Sequence, residues 1–185
     1  MQTIAWQPQI GDPTFAGWFT VFSYFLAAFL ACRVYRELPK LHHSYPKQRL
    51  FWLIIGLLSL ILGFNKQLDL QSLLTAIGKY YAHQQGWYER RRLIQGAFIG
   101  MILILGIGFI AWGMRFFKGI LIHNWLAFTG IVFLIVFILI RESSFHHMDQ
   151  LIGFRFMELK LNWILELTGI YSIVFNALWI LRSKR

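Results

Sequence analysis

Five long apolar runs separated by short polar connectors set the pattern of this chain, over about 15–32, 50–64, 93–114, 120–140 and 163–181. The fourth, Ile120 to Ile140, contains no Asp, Glu, Lys or Arg. About 20 apolar residues wound as a helix cross the hydrocarbon of a bilayer. A helix also satisfies its own backbone, as any lipid-exposed span must. The pattern predicts an all-α fold: one domain over residues 1–185, an integral membrane bundle of about five transmembrane helices. The second run is short for a span and passes directly into Asn65-Lys66-Gln67-Leu68-Asp69. The link between the third and fourth runs, which holds Arg115 and Lys118, is so short that those two helices must form an antiparallel hairpin.

Two connectors have periodicities of their own. Leu70, Leu73, Leu74, Ile77, Tyr80 and Tyr81 recur at helical spacing, while Gln71, Thr75, Lys79 and His83 take other faces. That predicts an amphipathic interfacial helix over about 69–83, lying along the membrane surface. Gly86 ends it, and Trp87-Tyr88 stand where aromatic rings meet headgroups. Phe154 to Leu161 alternates apolar and polar residues and reads as a second short interfacial stretch. No internal repeat or low-complexity tract is visible.

Composition agrees with the pattern. Apolar residues make up 57% of the 185 and charged residues 14%, against about 25% charged in soluble domains. The net charge of +10 raises nucleic acid as a partner, but the cations sit at the ends of the apolar runs. There they act as topology signals and contact membrane lipids, so nucleic acid is set aside. With the N-terminus outside, the inner connectors hold ten of the 18 Lys and Arg residues and the outer ones eight. Met1 to Asp12 has no Lys or Arg and is easily translocated, which supports an outer N-terminus and a cytoplasmic C-terminus. The same stretch lacks a signal-peptide pattern, so the first span is expected to stay in the mature protein. The single cysteine, Cys32, excludes an intramolecular disulfide or a CxxC site and is expected to be a small packing residue.

Polar residues in or beside the spans are the functional candidates, because they are costly there. Read as a helical continuation of the fourth span, Glu142, His146 and Asp149 share one face, with His147 on the adjacent one. Imidazole and carboxylate together suit a divalent metal such as Zn, Fe or Mn, and three protein ligands plus water is the pattern of a catalytic zinc. The plainer alternative is a solvated helix end. Haem is disfavoured, because no second histidine stands at matching depth on a facing span. Asn65 and Asp69 share a face, and Lys66 lies three residues from Asp69, within pairing distance; alternatively Asp69 caps the interfacial helix. Glu166 lies one turn inside the fifth span and needs a partner, for which Lys66, Arg92, Arg141 or a histidine are available. Gly96 and Gly100 form a GxxxG pair expected to allow close helix packing. GxSxG, P-loop, HExxH and Cys–His nucleophile patterns are all absent.

The stretches Asn65-Lys-Gln-Leu-Asp-Leu-Gln71, Gly86-Trp-Tyr-Glu-Arg-Arg91, Ser144-Phe-His-His-Met-Asp149 and Asn162-Trp-Ile-Leu-Glu-Leu167 resemble a family of small bacterial membrane proteins. The resemblance covers roughly Leu50 to Gly169 and implies the bacterial inner membrane as the location. Some members carry the name isopropylmalate isomerase, which implies an iron–sulfur hydro-lyase. Its cluster needs cysteine thiolates that a chain with one cysteine does not have, so the enzymatic name is rejected and the family brings no established activity. The expected function is a polar pocket on the non-cytoplasmic side, walled by Asn65, Lys66, Asp69, Glu142, His146, His147, Asp149 and Glu166. It would bind a lipid, quinone or metal, or the chain would serve as an accessory subunit of a larger membrane complex. A metal-dependent membrane hydrolase is the alternative, and a small transporter the third reading.

Overall fold

A computed structural model describes residues 10–38, 45–68, 91–144 and 155–183, together with residues 73, 76–78, 80, 81 and 84. Its five long helices are α1 (Phe15–Glu37), α2 (Tyr45–Leu68), α3 (Arg91–Phe116), α4 (Leu121–Ser144) and α5 (Arg155–Arg182). Each is long and apolar enough to cross a membrane, and no strand occurs among the described residues. The chain is an α-helical membrane protein.

The start of α1 follows from local chemistry. Thr14, extended at φ −72° and ψ 159°, accepts a hydrogen bond from the Gly17 N–H and caps the helix. The Asp12 carboxylate accepts from both the N–H and the hydroxyl of Thr14. Segment 10–14 then folds back onto the end of α2. Gly11 N–H donates to the Gln67 carbonyl at 2.8 Å, one of the carbonyls that a helix C-terminus leaves without an intrahelical partner. Asp12 lies so close to Gly17 that a Cβ there would collide with it.

α1 packs along α2, α4 packs along α5, and α1 crosses α5. One cluster links all four: Tyr24, Ala27, Ala31 and Val34 on α1 with Leu38 at its C-terminal cap, Phe51, Trp52 and Ile55 on α2, Ala127, Ile131 and Leu134 on α4, and Ile170, Ile173, Val174 and Ala177 on α5. The alternating three- and four-residue steps on α1 are one face of a helix. In lipid, helices gain little by burying apolar surface against one another, so close packing of small residues matters more. Here Gly130 on α4 and Gly169 on α5 approach closely. A Cβ on Gly130 would stand 2.6 Å from the Gly169 carbonyl oxygen, and one on Gly169 would stand 3.0 Å from that of Gly130. Neither position admits a side chain.

The small-residue pair expected from the sequence behaves differently. Among the described residues, a Cβ on Gly96 or Gly100 would meet nothing within 4 Å, whereas Gly106 and Gly113 on the same helix lie against Ile135 and Phe128 of α4. α3 thus packs on α4 over a narrow strip and leaves Phe98, Met101, Ile104, Leu105 and Ile107 exposed. Two further expectations are revised. Residues 155–161 are not a separate interfacial stretch but the first turns of α5; at ~1.5 Å per residue, its 28 residues exceed the hydrocarbon thickness and carry it past the bilayer core. Cys32 is exposed rather than packed. The expected helix over 69–83 falls mostly outside the described residues.

α4 is broken near its start. Asn124 leaves helical geometry at φ −122° and ψ 17°, and its side chain donates back to the Ile120 carbonyl at 2.8 Å while accepting from the indole of the buried Trp52 at 2.9 Å. The Asn176 amide of α5 inserts beside the break. Its oxygen accepts from the Ala127 N–H at 2.9 Å and its nitrogen donates to the His123 carbonyl at 3.2 Å. Those two backbone groups would bond directly in an uninterrupted helix. One side chain therefore satisfies both groups exposed by the break, as an apolar surrounding requires.

Candidate functional site

The antiparallel order of the helices brings the start of α1, the end of α2 and the first half of α5 to one end of the bundle. Exposed Phe15, Trp18 and Trp163 mark that end, and exposed Trp112, Trp125 and Trp179 mark the other. Trp163 and Trp179 are about 24 Å apart along α5 at ~1.5 Å per residue. That separation suits two aromatic belts on either side of a hydrocarbon core.

Glu166 lies one turn inward from Trp163. It is 2% exposed, and its two carboxylate oxygens have different partners. Oε2 accepts from Lys66 Nζ of α2 at 2.9 Å, and Oε1 accepts from the Tyr24 hydroxyl of α1 at 3.1 Å. An isolated charge in this setting would be prohibitively expensive; an ammonium and a phenol together offset that cost. Lys66 reaches the site because α2 continues as a helix through Asn65 and Lys66 to Leu68. The short second run is therefore a full-length helix whose last turns are polar. The Lys66 side chain is 14% exposed, and Glu166 is its one hydrogen-bond acceptor among the described residues. An ammonium carries three N–H donors, so two find no acceptor among the described residues.

Further polar groups surround the pair. The Ser23 and Tyr171 hydroxyls meet at 3.3 Å, and the Trp163 indole donates to Thr20 Oγ1 at 3.3 Å. Thr20 and Ser23 also donate to carbonyls one turn back in α1, at 2.8 Å each. Gln67, next to Lys66, donates weakly to the Asp12 carbonyl at 3.4 Å, while its buried Oε1 has no hydrogen-bond partner.

Of the residues expected to wall the pocket, the structure brings Lys66 and Glu166 into direct contact. Asn65, next to Lys66 in sequence, is part-buried on α2. Asp69, His146, His147 and Asp149 lie outside the described residues, and Glu142 is described only as part of the last turn of α4. Among the described residues no group of three potential metal ligands occurs. Tyr24 is the member of the site that sequence reasoning missed. In FTVFSYFLAAF it looks like one aromatic packing residue among several, and only its contact with Glu166 distinguishes it.

Fold and site together define a class: a small α-helical membrane protein with, among the described residues, five apolar helices and an ion pair held between two of them near one end. No protein-family model, curated protein or solved structure matches the chain.

Proposed function

We propose that this chain is a non-enzymatic binding protein of the bacterial inner membrane, with its N-terminus outside, and that it takes the polar head of a lipid or quinone at the Lys66–Glu166 centre. The observation that carries this reading is the unfinished ammonium of Lys66, near the aromatic belt, with two donors that meet no acceptor among the described residues. An acceptor oxygen from an amphiphile, a phosphate or a quinone carbonyl, would complete it while the tail stayed in the hydrocarbon. The buried Gln67 Oε1 offers an acceptor next door for a ligand hydroxyl. Glu166, itself held by the Tyr24 hydroxyl, holds Lys66 in place, so the site is preorganised.

The test compares wild type with a Lys66→Met/Glu166→Met double variant, which removes both charges together. After mild-detergent purification, bound lipids and quinones are extracted and quantified by mass spectrometry. Near-stoichiometric retention of one species by the wild type, and its loss from the folded double variant, is the expected result. Extracts that mirror bulk membrane lipid and do not differ between the two proteins would reduce the pair to a structural lock.

An accessory role in a larger assembly is the second reading, favoured by α3. Among the described residues, a Cβ on its Gly96, Gly100 or Gly108 would meet nothing within 4 Å, which leaves room for a neighbouring helix. Stable copurifying membrane subunits would support it.

A further inference from the structure

The other end of the bundle gathers cations without matching anions. α2 begins there, between the last turns of α1 and the α3–α4 turn. Lys47 Nζ lies 5.2 Å from the Phe116 ring centroid. Phe116 is itself stacked on Trp112, with centroids 5.1 Å apart and planes at 15°. Its neighbour Phe117 is buried and meets Phe51 of α2 edge-on at 5.2 Å, which fixes the platform against the bundle. Arg115 and Lys118 flank the same ring in sequence, and both are exposed, as is Lys47. Slightly further into α2, the Arg49 guanidinium sits 4.5 Å over the Tyr35 ring of α1, and its buried Nε has no hydrogen-bond acceptor. Among the described residues at this end the one acid is Glu37, bound to Arg33 at 3.2 Å.

Like charges brought together this way repel, and ring faces offset only part of that. A bound anion would relieve the repulsion and supply acceptors to the unused N–H groups. The surroundings define the anion. The cations stand at the aromatic belt of Trp112, Trp125 and Trp179, and α3 below them is apolar and exposed. A soluble anion would leave that surface unused, whereas a phospholipid covers it with its own chains. Clusters of Lys and Arg at a membrane boundary attract anionic headgroups.

We propose that Lys47, Arg115 and Lys118, around the Trp112–Phe116 platform, form a binding site for the phosphate of an anionic phospholipid whose acyl chains lie along α3. Arg49 extends the positive rim toward α1. The site shares no residue with the Lys66–Glu166 centre and stands whether or not that centre binds a ligand.

The experiment places the full chain in phosphatidylcholine nanodiscs containing a minor share of phosphatidylglycerol, and counts retained lipids by native mass spectrometry. Wild type should retain phosphatidylglycerol in preference to phosphatidylcholine. Each cation removed should lower that preference roughly five-fold, so Lys47→Gln/Arg115→Gln/Lys118→Gln should abolish it. Arg33→Gln/Arg36→Gln/Arg182→Gln removes the same charge at the same end and should keep most of it. Equal losses in the two triple variants, or no preference in the wild type, overturn the proposal. Lys118→Gln alone, in the exposed turn, gives the same reading should the triple variant fail to fold.

Discussion

Glu166 shows how one residue is made tolerable in a membrane. Its carboxylate is divided between an ammonium and a phenol from two other helices, so the polar contacts that stabilise the charge also tie α1, α2 and α5 together. Removing one partner is worse than removing both, because the remaining charge then stays in a poorly solvating surrounding. Lys66→Met alone should destabilise the protein by about 3–5 kcal/mol, and adding Glu166→Met should restore most of that loss. Thermal unfolding of the two variants in one detergent checks this; a double variant no more stable than Lys66→Met would contradict it. The sequence already narrowed the partner of Glu166 to a few cations and histidines. It could not choose among them, since Lys66 and Glu166 are a hundred residues apart and their contact depends on how far α2 extends as a helix.

Helix packing is decided by glycines that the sequence does not distinguish. Gly96 and Gly100 have the familiar spacing yet meet no neighbour among the described residues, while Gly130 and Gly169, each alone in its helix, form the α4–α5 crossing. The GxxxG pattern reports that a helix could be approached closely; it does not say that a neighbour is there. Gly169→Ala should therefore lower stability by about 1–3 kcal/mol, since the new methyl meets the Gly130 carbonyl and Leu134. Gly100→Ala should be neutral or stabilising by up to about 1 kcal/mol, through helix propensity alone. Paired melting curves of the two variants decide the matter, and a larger loss at Gly100 would reverse the assignment. The break in α4 was equally hidden: Asn124 and Asn176 are ordinary polar interruptions in apolar runs until Asn176 is seen bridging Ala127 and His123.

For the molecule as a whole, orientation organises everything else. In the proposed orientation, an outer N-terminus would put segment 10–14, Lys66 and Glu166 toward the outside and the proposed basic rim of Lys47, Arg115 and Lys118 toward the cytoplasm. Lys and Arg gather on the cytoplasmic side of membrane proteins, and anionic lipid gives that leaflet its negative surface. In a Cys32→Ser background, Ile10→Cys should react with a membrane-impermeant maleimide in intact cells, and Ser183→Cys only after permeabilisation. The opposite labelling pattern would invert the topology and move the proposed ligand centre to the inner leaflet.

The hydrophobic pattern alone determined the fold class and the number of helices, because the bilayer demands about 20 apolar residues with a self-satisfied backbone, and that demand is written locally. It also singled out Lys66 and Glu166, since charge in such runs is conspicuous. Only the tertiary structure decided that Lys66 is the partner, that Tyr24 completes the pair, that Gly130 and Gly169 rather than Gly96 and Gly100 mark a close crossing, and that Lys47 of α2 reaches the Phe116 ring of α3. These depend on which faces of separate helices meet. In lipid, where apolar faces are satisfied almost anywhere, that is set by shape and by a few polar contacts between distant residues.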